Sequence, residues 1–171
     1  MNNRTVALRV ANLGDLPFIM TTERMPDFER MVGHWPEDDH RAAFTRTDHA
    51  YLLGTDAPGE PGAFAIIRDI NDVHGNVCLK RIAVKNPGCG FGSKFLGLVL
   101  NWVFGKTPAY RLWLDVLSDN YRARHVYLSQ GFVEEGVLRG AYKLPDESRV
   151  DLVLMSLTRP EWLGRHMGKT H

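Results

Sequence analysis

Three glycines occupy alternate positions between two apolar segments, in the run Val84-Lys85-Asn86-Pro87-Gly88-Cys89-Gly90-Phe91-Gly92-Ser93. Because glycine lacks a Cβ, such a turn lets several backbone N–H groups approach one anion, and the start of a following helix adds a favourable dipole. The order Gly-Ser-Lys excludes a Walker A loop, and the third glycine of a dinucleotide-binding GxGxxG would fall on Phe95. Two interpretations remain, a phosphate-binding turn and a glycine-rich corner without a ligand.

A tyrosine that could move a proton follows on a second predicted helix. Asn120, Ala123 and Tyr127 are three and four residues apart, so they share one helix face, and Gly131 ends the helix. A phenol on a rigid helix can serve as a general acid, and the amide of Asn120 can bind a ligand or cap the helix. The alternative is that Tyr127 is an ordinary half-buried aromatic residue.

The cysteines and histidines form no recognisable metal or redox motif. Cys78 and Cys89 are not a CxxC pair, and they are too few for a disulfide framework, so we expect reduced thiols. The seven histidines include no HExxH and no zinc-ligand spacing with cysteine. We therefore predict no metal site.

The hydrophobic pattern and the turn residues predict the strands and helices that carry these residues. The predicted strands are Thr5–Ala11, Tyr51–Leu53, Ala63–Ile70, Val77–Val84, Arg111–Val116, Phe132–Tyr142 and Val150–Leu157. The predicted helices begin after Asp15, at Pro36, at Phe91 and at Asn120. This order predicts an α/β (α+β) fold with a mixed, mostly antiparallel central sheet of six to seven strands and helices on both faces.

Length and composition favour one domain over residues 1–171, with a core at about 5–160. We expect the tail, residues 161–171, to be loosely ordered. The net charge of +1 comes from scattered residues, which argues against nucleic acid as a partner. The apolar stretch from Phe91 to Phe104 is too short and too interrupted to cross a membrane, and no secretory signal is evident, so we expect a cytoplasmic protein. We expect a monomer or a homodimer, and the sequence does not distinguish the two.

Two runs together resemble the GCN5-related N-acetyltransferase (GNAT) superfamily. KRIAVKNPGCGFGSKFL is similar to the family's strand and pyrophosphate loop, and LDVLSDNYRARHVYLSQGFVEEGVLRGAY is similar to its next strand, its N-x-x-A-x-x-x-Y helix and the G-F that follows. The GF-x-EEG-x-x-R run and DLVLM lean toward the subgroup of ribosomal-protein N-terminal and small-amine acetyltransferases. One departure is Pro87, which stands where the family usually has Gln or Arg.

The resemblance implies an enzyme that moves an acetyl group from acetyl-CoA, its co-substrate, to an amine of a peptide or small molecule by direct attack in a ternary complex. It implies Tyr127 as the catalytic acid. It also implies that acetyl-CoA is bound by two groups of residues, the strand end Ile82, Ala83 and Val84 with the turn Gly88, Cys89, Gly90, Phe91, Gly92 and Ser93, and the helix residues Asn120 and Ala123.

Alternatives remain for the identity of the general base and for the function class. The candidate bases are Glu23, Asp115, Glu134, His40 and His125, and solvated surface charge is the competing interpretation of the three carboxylates. A non-catalytic acyl-CoA-binding module is the alternative to an enzyme. A Rossmann-like nucleotide-binding protein with Asp115 on the ribose is a third, opposed by the glycine spacing and the early antiparallel strands.

Overall fold

The structure, a computed structural model, describes residues 5–26, 28, 30, 33–56 and 59–167. One seven-stranded sheet has the spatial order β1-β2-β3-β4-β5-β7-β6, and only β4 and β5 run parallel. This confirms the predicted fold class. The strands are β1 (Ala7–Val10), β2 (Ala50–Thr55), β3 (Pro61–Arg68), β4 (Asn76–Val84), β5 (Arg111–Leu117), β6 (Val133–Lys143) and β7 (Arg149–Thr158).

Helices cover both faces of the sheet. They are α1 (Leu16–Glu23), which follows a short 3-10 turn at Leu13–Asp15, α2 (Glu37–Phe44), α3 (Phe91–Lys106), α4 (Tyr121–Ser129) and α5 (Arg159–Met167). The apolar residues of α3 and Tyr127 of α4 belong to one buried cluster, and Ile19 of α1 and Ala43 of α2 belong to another. The sheet therefore has an α3–α4 face and an α1–α2 face.

Close contacts fix α3 on the sheet. A Cβ on Gly54 would lie 2.6 Å from the ring of Phe95, and a Cβ on Gly62 would lie 2.9 Å from the ring of Phe91. Both phenylalanines are buried. The absence of side chains at these strand positions lets the first turns of α3 lie directly against β2 and β3, which sets the position of the glycine turn that precedes the helix.

The prediction of a loosely ordered tail is wrong for its described part. Residues 159–167 form α5, and Trp162 stacks on Phe104 of α3 with ring centroids 5.3 Å apart. The Arg159 guanidinium donates hydrogen bonds to the carbonyls of Phe104, Thr107 and Ala109. One of these carbonyls, that of Phe104, lies in the last turn of α3 and has no intrahelical partner, and the other two lie just after the helix. This is a long-range role that local sequence patterns do not reveal. Residues 168–171 lie outside the described part.

Candidate active site

The central feature of the site is a gap in the sheet between β4 and β5. Their parallel ladder contains three pairs, Asn76–Arg111, Val77–Leu112 and Cys78–Trp113. Beyond them β4 continues to Val84 and remains paired with β3, while β5 remains paired with β7. The register shift beside Ile66 leaves Lys80 opposite no residue of β3, a β-bulge in β4 at the start of the gap. The two strands therefore separate, and the edge of β4 over Ile82–Val84 faces the gap.

The glycine turn lies at the end of β4, and its backbone requires glycine at two positions. Gly88 has φ of 100° and Gly90 has φ of 77°, and Gly90 is the N-cap of α3. No side chain of the described residues caps this helix, and its first backbone bond runs from the N–H of Lys94 to the carbonyl of Gly90. The N–H groups of Phe91, Gly92 and Ser93 precede that bond, so they are the unpaired donors expected at a helix start. Such donors suit an anion.

Two residues of the turn contribute no side chain to the cleft. Phe91 is 6% exposed and packs in the core against Gly62, so its backbone N–H is the group it can offer a ligand. Cys89 is exposed, and its thiol donates a hydrogen bond to the carbonyl of Asn86 at 3.4 Å.

Ser93 connects the two helices that border the cleft. Its Oγ accepts a hydrogen bond from the Gln130 amide at 3.0 Å, which ties the start of α3 to the end of α4.

Asn120 caps α4. Its Oδ1 accepts a hydrogen bond from the N–H of Ala123 at 3.2 Å. The capping role considered for Asn120 is therefore present. Both residues also line the cleft, so the amide nitrogen of Asn120 remains available to a ligand while its oxygen holds the helix start.

Tyr127 is 9% exposed and lies in the wall of the cleft, in contact with the ring of Phe132. Burial raises the pKa of the Tyr127 hydroxyl well above its ordinary value, and the negative charge of Asp115 raises it further. The phenol therefore keeps its proton at neutral pH, which is the state a proton donor needs.

These features border one cleft of about 1010 Å³. Most of the predicted binding residues line it, and Cys89 and Phe91 do not. The predicted residues in its wall are Ile82, Ala83, Val84, Gly88, Gly90, Gly92, Ser93, Asn120, Ala123 and Tyr127. The opposite end of the cleft is bordered by Trp35, Arg81 and Tyr142 and by the turn after β6, which contributes Leu144 and Pro145.

A buried ionic network supports that opposite end. Glu23 is fully buried and accepts hydrogen bonds from the Arg81 guanidinium at 3.2 Å and from Arg24 at 3.0 Å. It also pairs with Nε2 of His40 at 2.8 Å, and Nδ1 of His40 is 2.9 Å from the Tyr51 hydroxyl. Glu23 is therefore a buried structural carboxylate, and its interpretation as solvated surface charge is wrong. His40 has both ring nitrogens engaged.

Of the predicted bases, Asp115 is the one that lines the cleft among the described residues. It is exposed, and it lies in β5 between Leu114 and Val116, which pack on the α3–α4 face. Since strand side chains alternate, Asp115 points to the α1–α2 face. Glu134 instead pairs with Arg124 at 2.8 Å, and His125 is exposed on α4 outside the cleft.

Comparison with known proteins agrees with the family resemblance seen in the sequence. Residues 19–132, more than half of the chain, match the acetyltransferase (GNAT) family. The chain belongs to this family. It is an acetyl-CoA-dependent N-acetyltransferase.

Individual GNAT proteins resemble the chain over most of its length. The spermidine N(1)-acetyltransferase of Vibrio cholerae serotype O1 is 25% identical over 148 residues, which cover 80% of this chain and 83% of the relative. A crystal structure of spermidine N-acetyltransferase from Vibrio cholerae with CoA and spermine has a TM-score of 0.83 at 21% identity, covering 92% of this chain and 98% of the other. The ribosomal-protein-S18-alanine N-acetyltransferase of Escherichia coli has a TM-score of 0.73 at 25% identity, covering 90% and 94%.

Among the residues of the GNAT cleft that sequence reasoning missed, four carry charged or aromatic side chains at its two ends. Arg122 lies beside Gly88, and Trp35, Arg81 and Tyr142 border the opposite end. The sequence could have indicated a binding role for Arg122, because a cation in the first turn of a helix is unfavourable with respect to the helix dipole. The other three come from three separate segments, and nothing local brings them together.

Other kinds of site are not evident in the described residues of this GNAT protein. No helix in that part of the chain has the length and apolar character to span a bilayer. In the same ranges, no three or more His, Cys, Asp or Glu side chains cluster in a way that could hold a metal ion.

Proposed function

We propose that this protein acetylates a primary amine of a small molecule, and that the amine attacks acetyl-CoA directly while both are bound in the cleft between β4 and β5. The observation that carries the proposal is that the cleft reaches both faces of the sheet, with Tyr127 on one face and Asp115 on the other. A donor and an acceptor of protons are thereby available on opposite sides of one reaction centre. Spermidine, the substrate in the name of the Vibrio relative, is the first acceptor to test.

The acyl donor would bind along β4 and the glycine turn. The diphosphate of acetyl-CoA fits the unpaired N–H groups at Phe91, Gly92 and Ser93, with Gly88, Cys89 and Gly90 shaping the backbone around it. The amide-bearing arm would pair with the strand edge at Ile82, Ala83 and Val84, and it would pass Asn120 and Ala123 at the start of α4. Backbone N–H groups on this edge can polarise the thioester oxygen as negative charge develops on it.

Tyr127 would protonate the departing thiolate. When the amine nitrogen bonds to the thioester carbon and the C–S bond breaks, the sulfur leaves with the electron pair and takes the phenolic proton. The Tyr127 hydroxyl carries this proton at neutral pH, where a phenol is protonated with or without the rise in pKa that burial causes.

Asp115 would accept the proton that the amine must lose, directly or through one water. It is the exposed carboxylate beside the gap, on the face opposite the α3–α4 core. The other candidate carboxylates are engaged elsewhere, Glu23 in its buried network and Glu134 with Arg124. A protonated amine loses two protons on becoming an amide, and Asp115 would pass them on: one restores the proton given up by Tyr127, and the other is released to solvent.

The proposal is tested by thiol release from acetyl-CoA with a panel of spermidine, other small amines and peptides that end in a free amine. We expect turnover with at least one small amine. Tyr127→Phe should lower kcat by about 100-fold or more, because general acid catalysis contributes on that order, while the KM for acetyl-CoA changes little. Tyr121→Phe, an exposed tyrosine on the same helix, is the matched control and should keep full activity.

Asp115→Asn separates the two proton-transfer roles. We expect kcat/KM for the amine to fall at neutral pH and to recover in part at high pH, where more of the amine is already neutral. An unchanged pH profile in Asp115→Asn would exclude Asp115 as the base. Acetyl-CoA binding without thiol release for every amine would instead favour the non-catalytic acyl-CoA-binding module.

A further inference from the structure

We propose that Arg122 binds the diphosphate of acetyl-CoA, in place of the side-chain donor that Pro87 cannot supply. The inference rests on the proposed position of acetyl-CoA in the cleft. It assigns a residue of α4 to a site that the loop alone was expected to form.

The geometry places the guanidinium at the turn. A Cβ built on Gly88 would lie 3.5 Å from Nη2 of Arg122, and Pro87, Gly88 and Arg122 all line the cleft. Gly88 and Gly90 have positive φ, which is the backbone form that turns successive N–H groups toward one concavity. Arg122 therefore faces the same space as the donors at the start of α3.

The guanidinium is also available. Arg122 is exposed, and it forms no hydrogen bond or ion pair with the described residues. Most other arginines near the cleft are engaged, Arg124 with Glu134 and Arg81 with Glu23. A planar guanidinium can donate two parallel hydrogen bonds to phosphate oxygens, which suits a diphosphate.

Its position in the helix gives an independent argument. Arg122 is the second residue of α4, whose first turn contains no acidic side chain. A cation at this end opposes the partial positive charge of the helix dipole, and a carboxylate would be the stabilising choice. Local stability therefore does not explain the arginine, whereas an anion bound in front of it does. It follows that Arg122→Ala should fold at least as well as the unchanged protein.

The test compares three acyl donors with Arg122→Ala. With acetyl-CoA we expect the KM to rise about tenfold, as for loss of one charge-assisted hydrogen bond, and kcat to change little. With acetyl-dephospho-CoA, which keeps the diphosphate, the same tenfold difference should persist. With S-acetylpantetheine, which has no diphosphate, the two proteins should have the same KM. Arg122→Lys should be intermediate, because it keeps the charge and loses the fork.

Arg139→Ala is the matched control, since Arg139 is an exposed arginine on β6 outside the cleft and its loss changes the net charge equally. It should leave the KM for acetyl-CoA unchanged. If the KM values of Arg122→Ala and the unchanged protein already agree with acetyl-dephospho-CoA, Arg122 binds the 3′-phosphate, and the diphosphate assignment is overturned. Equal KM values for Arg122→Ala and the unchanged protein, with the latter active, would overturn any phosphate role. An inactive unchanged protein would instead contradict the proposed function.

Discussion

Among single residues, the carboxylate group has different roles in different surroundings. Asp115 is exposed at the gap in the sheet, and Glu23 is fully buried between two guanidinium groups and an imidazole. A buried carboxylate is stable only with such partners, and its partners in turn depend on its charge. Glu23 therefore fixes Arg81 at the wall of the cleft, where Trp35 lies over the guanidinium at 4.5 Å.

Glu23→Gln should lower the free energy of unfolding by about 3 kcal/mol, because it removes the buried negative charge that pairs with the Arg81 guanidinium. Glu134→Gln, which removes a partly exposed partner of Arg124, should cost less than about 1 kcal/mol. Urea unfolding measures both. If Glu23→Gln instead lost turnover while its unfolding curve stayed unchanged, Glu23 would have a chemical role rather than a structural one.

At the scale of elements, the start of α3 combines a packing function with a binding function. Phe91 and Phe95 fix the helix against Gly62 and Gly54, while the backbone just before it takes the left-handed form at Gly90. The helix can thus leave its first N–H groups unpaired toward the cleft, because core contacts hold the turn in place. Binding at this turn depends on the helix position as much as on the glycines.

Gly90→Ala should separate backbone strain from crowding. A Cβ at Gly90 meets no atom within 4 Å, so the expected loss of about 1 to 2 kcal/mol in unfolding free energy comes from the positive φ alone. Relaxation of that strain should displace the turn and raise the KM for acetyl-CoA. Gly105→Ala, also in open space but in regular helix, should be stabilising by up to about 1 kcal/mol with an unchanged KM. Equal effects of the two substitutions on stability would contradict this account.

At the scale of the whole molecule, two buried tyrosines connect stability to pH. Burial raises the pKa of Tyr51 on the α1–α2 face and that of Tyr127 on the α3–α4 face. Both hydroxyls are protonated in the folded and unfolded chain at neutral pH. Above the ordinary tyrosine pKa of about 10, the unfolded chain loses these protons first. The stabilisation that is fully present below pH 10 is then lost as the pH rises toward the folded-state values.

We therefore expect the free energy of unfolding to fall above pH 10, with a slope of up to about 1.4 kcal/mol per pH unit for each buried tyrosine. Urea unfolding at pH 8, 10 and 11 measures the slope. Tyr127→Phe removes one of the two buried hydroxyls, so its free energy of unfolding should fall less steeply with pH. Tyr121→Phe, which changes an exposed tyrosine, should keep the original slope.

The features that could be predicted from the sequence are those that depend on local geometry. The strand before the glycine turn, the helix after it and the Asn120–Tyr127 spacing are properties of short segments, in which turn residues and helical periodicity fix the structure. That is why the fold class could be predicted, and why most of the predicted binding residues line the cleft. The boundaries differ slightly, since β6 begins at Val133 rather than Phe132.

Which distant groups meet depends on tertiary packing and could not be predicted. Tertiary packing brought Arg122 to Gly88, buried Glu23 with His40 and Arg81, gave Asp115 access to the cleft and anchored α5 through Arg159. These contacts join segments up to about 60 residues apart, and they depend on strand register and on the angle at which helices pack. Neither is encoded in a local pattern, because shifting a strand by one residue would turn each side chain to the other face of the sheet.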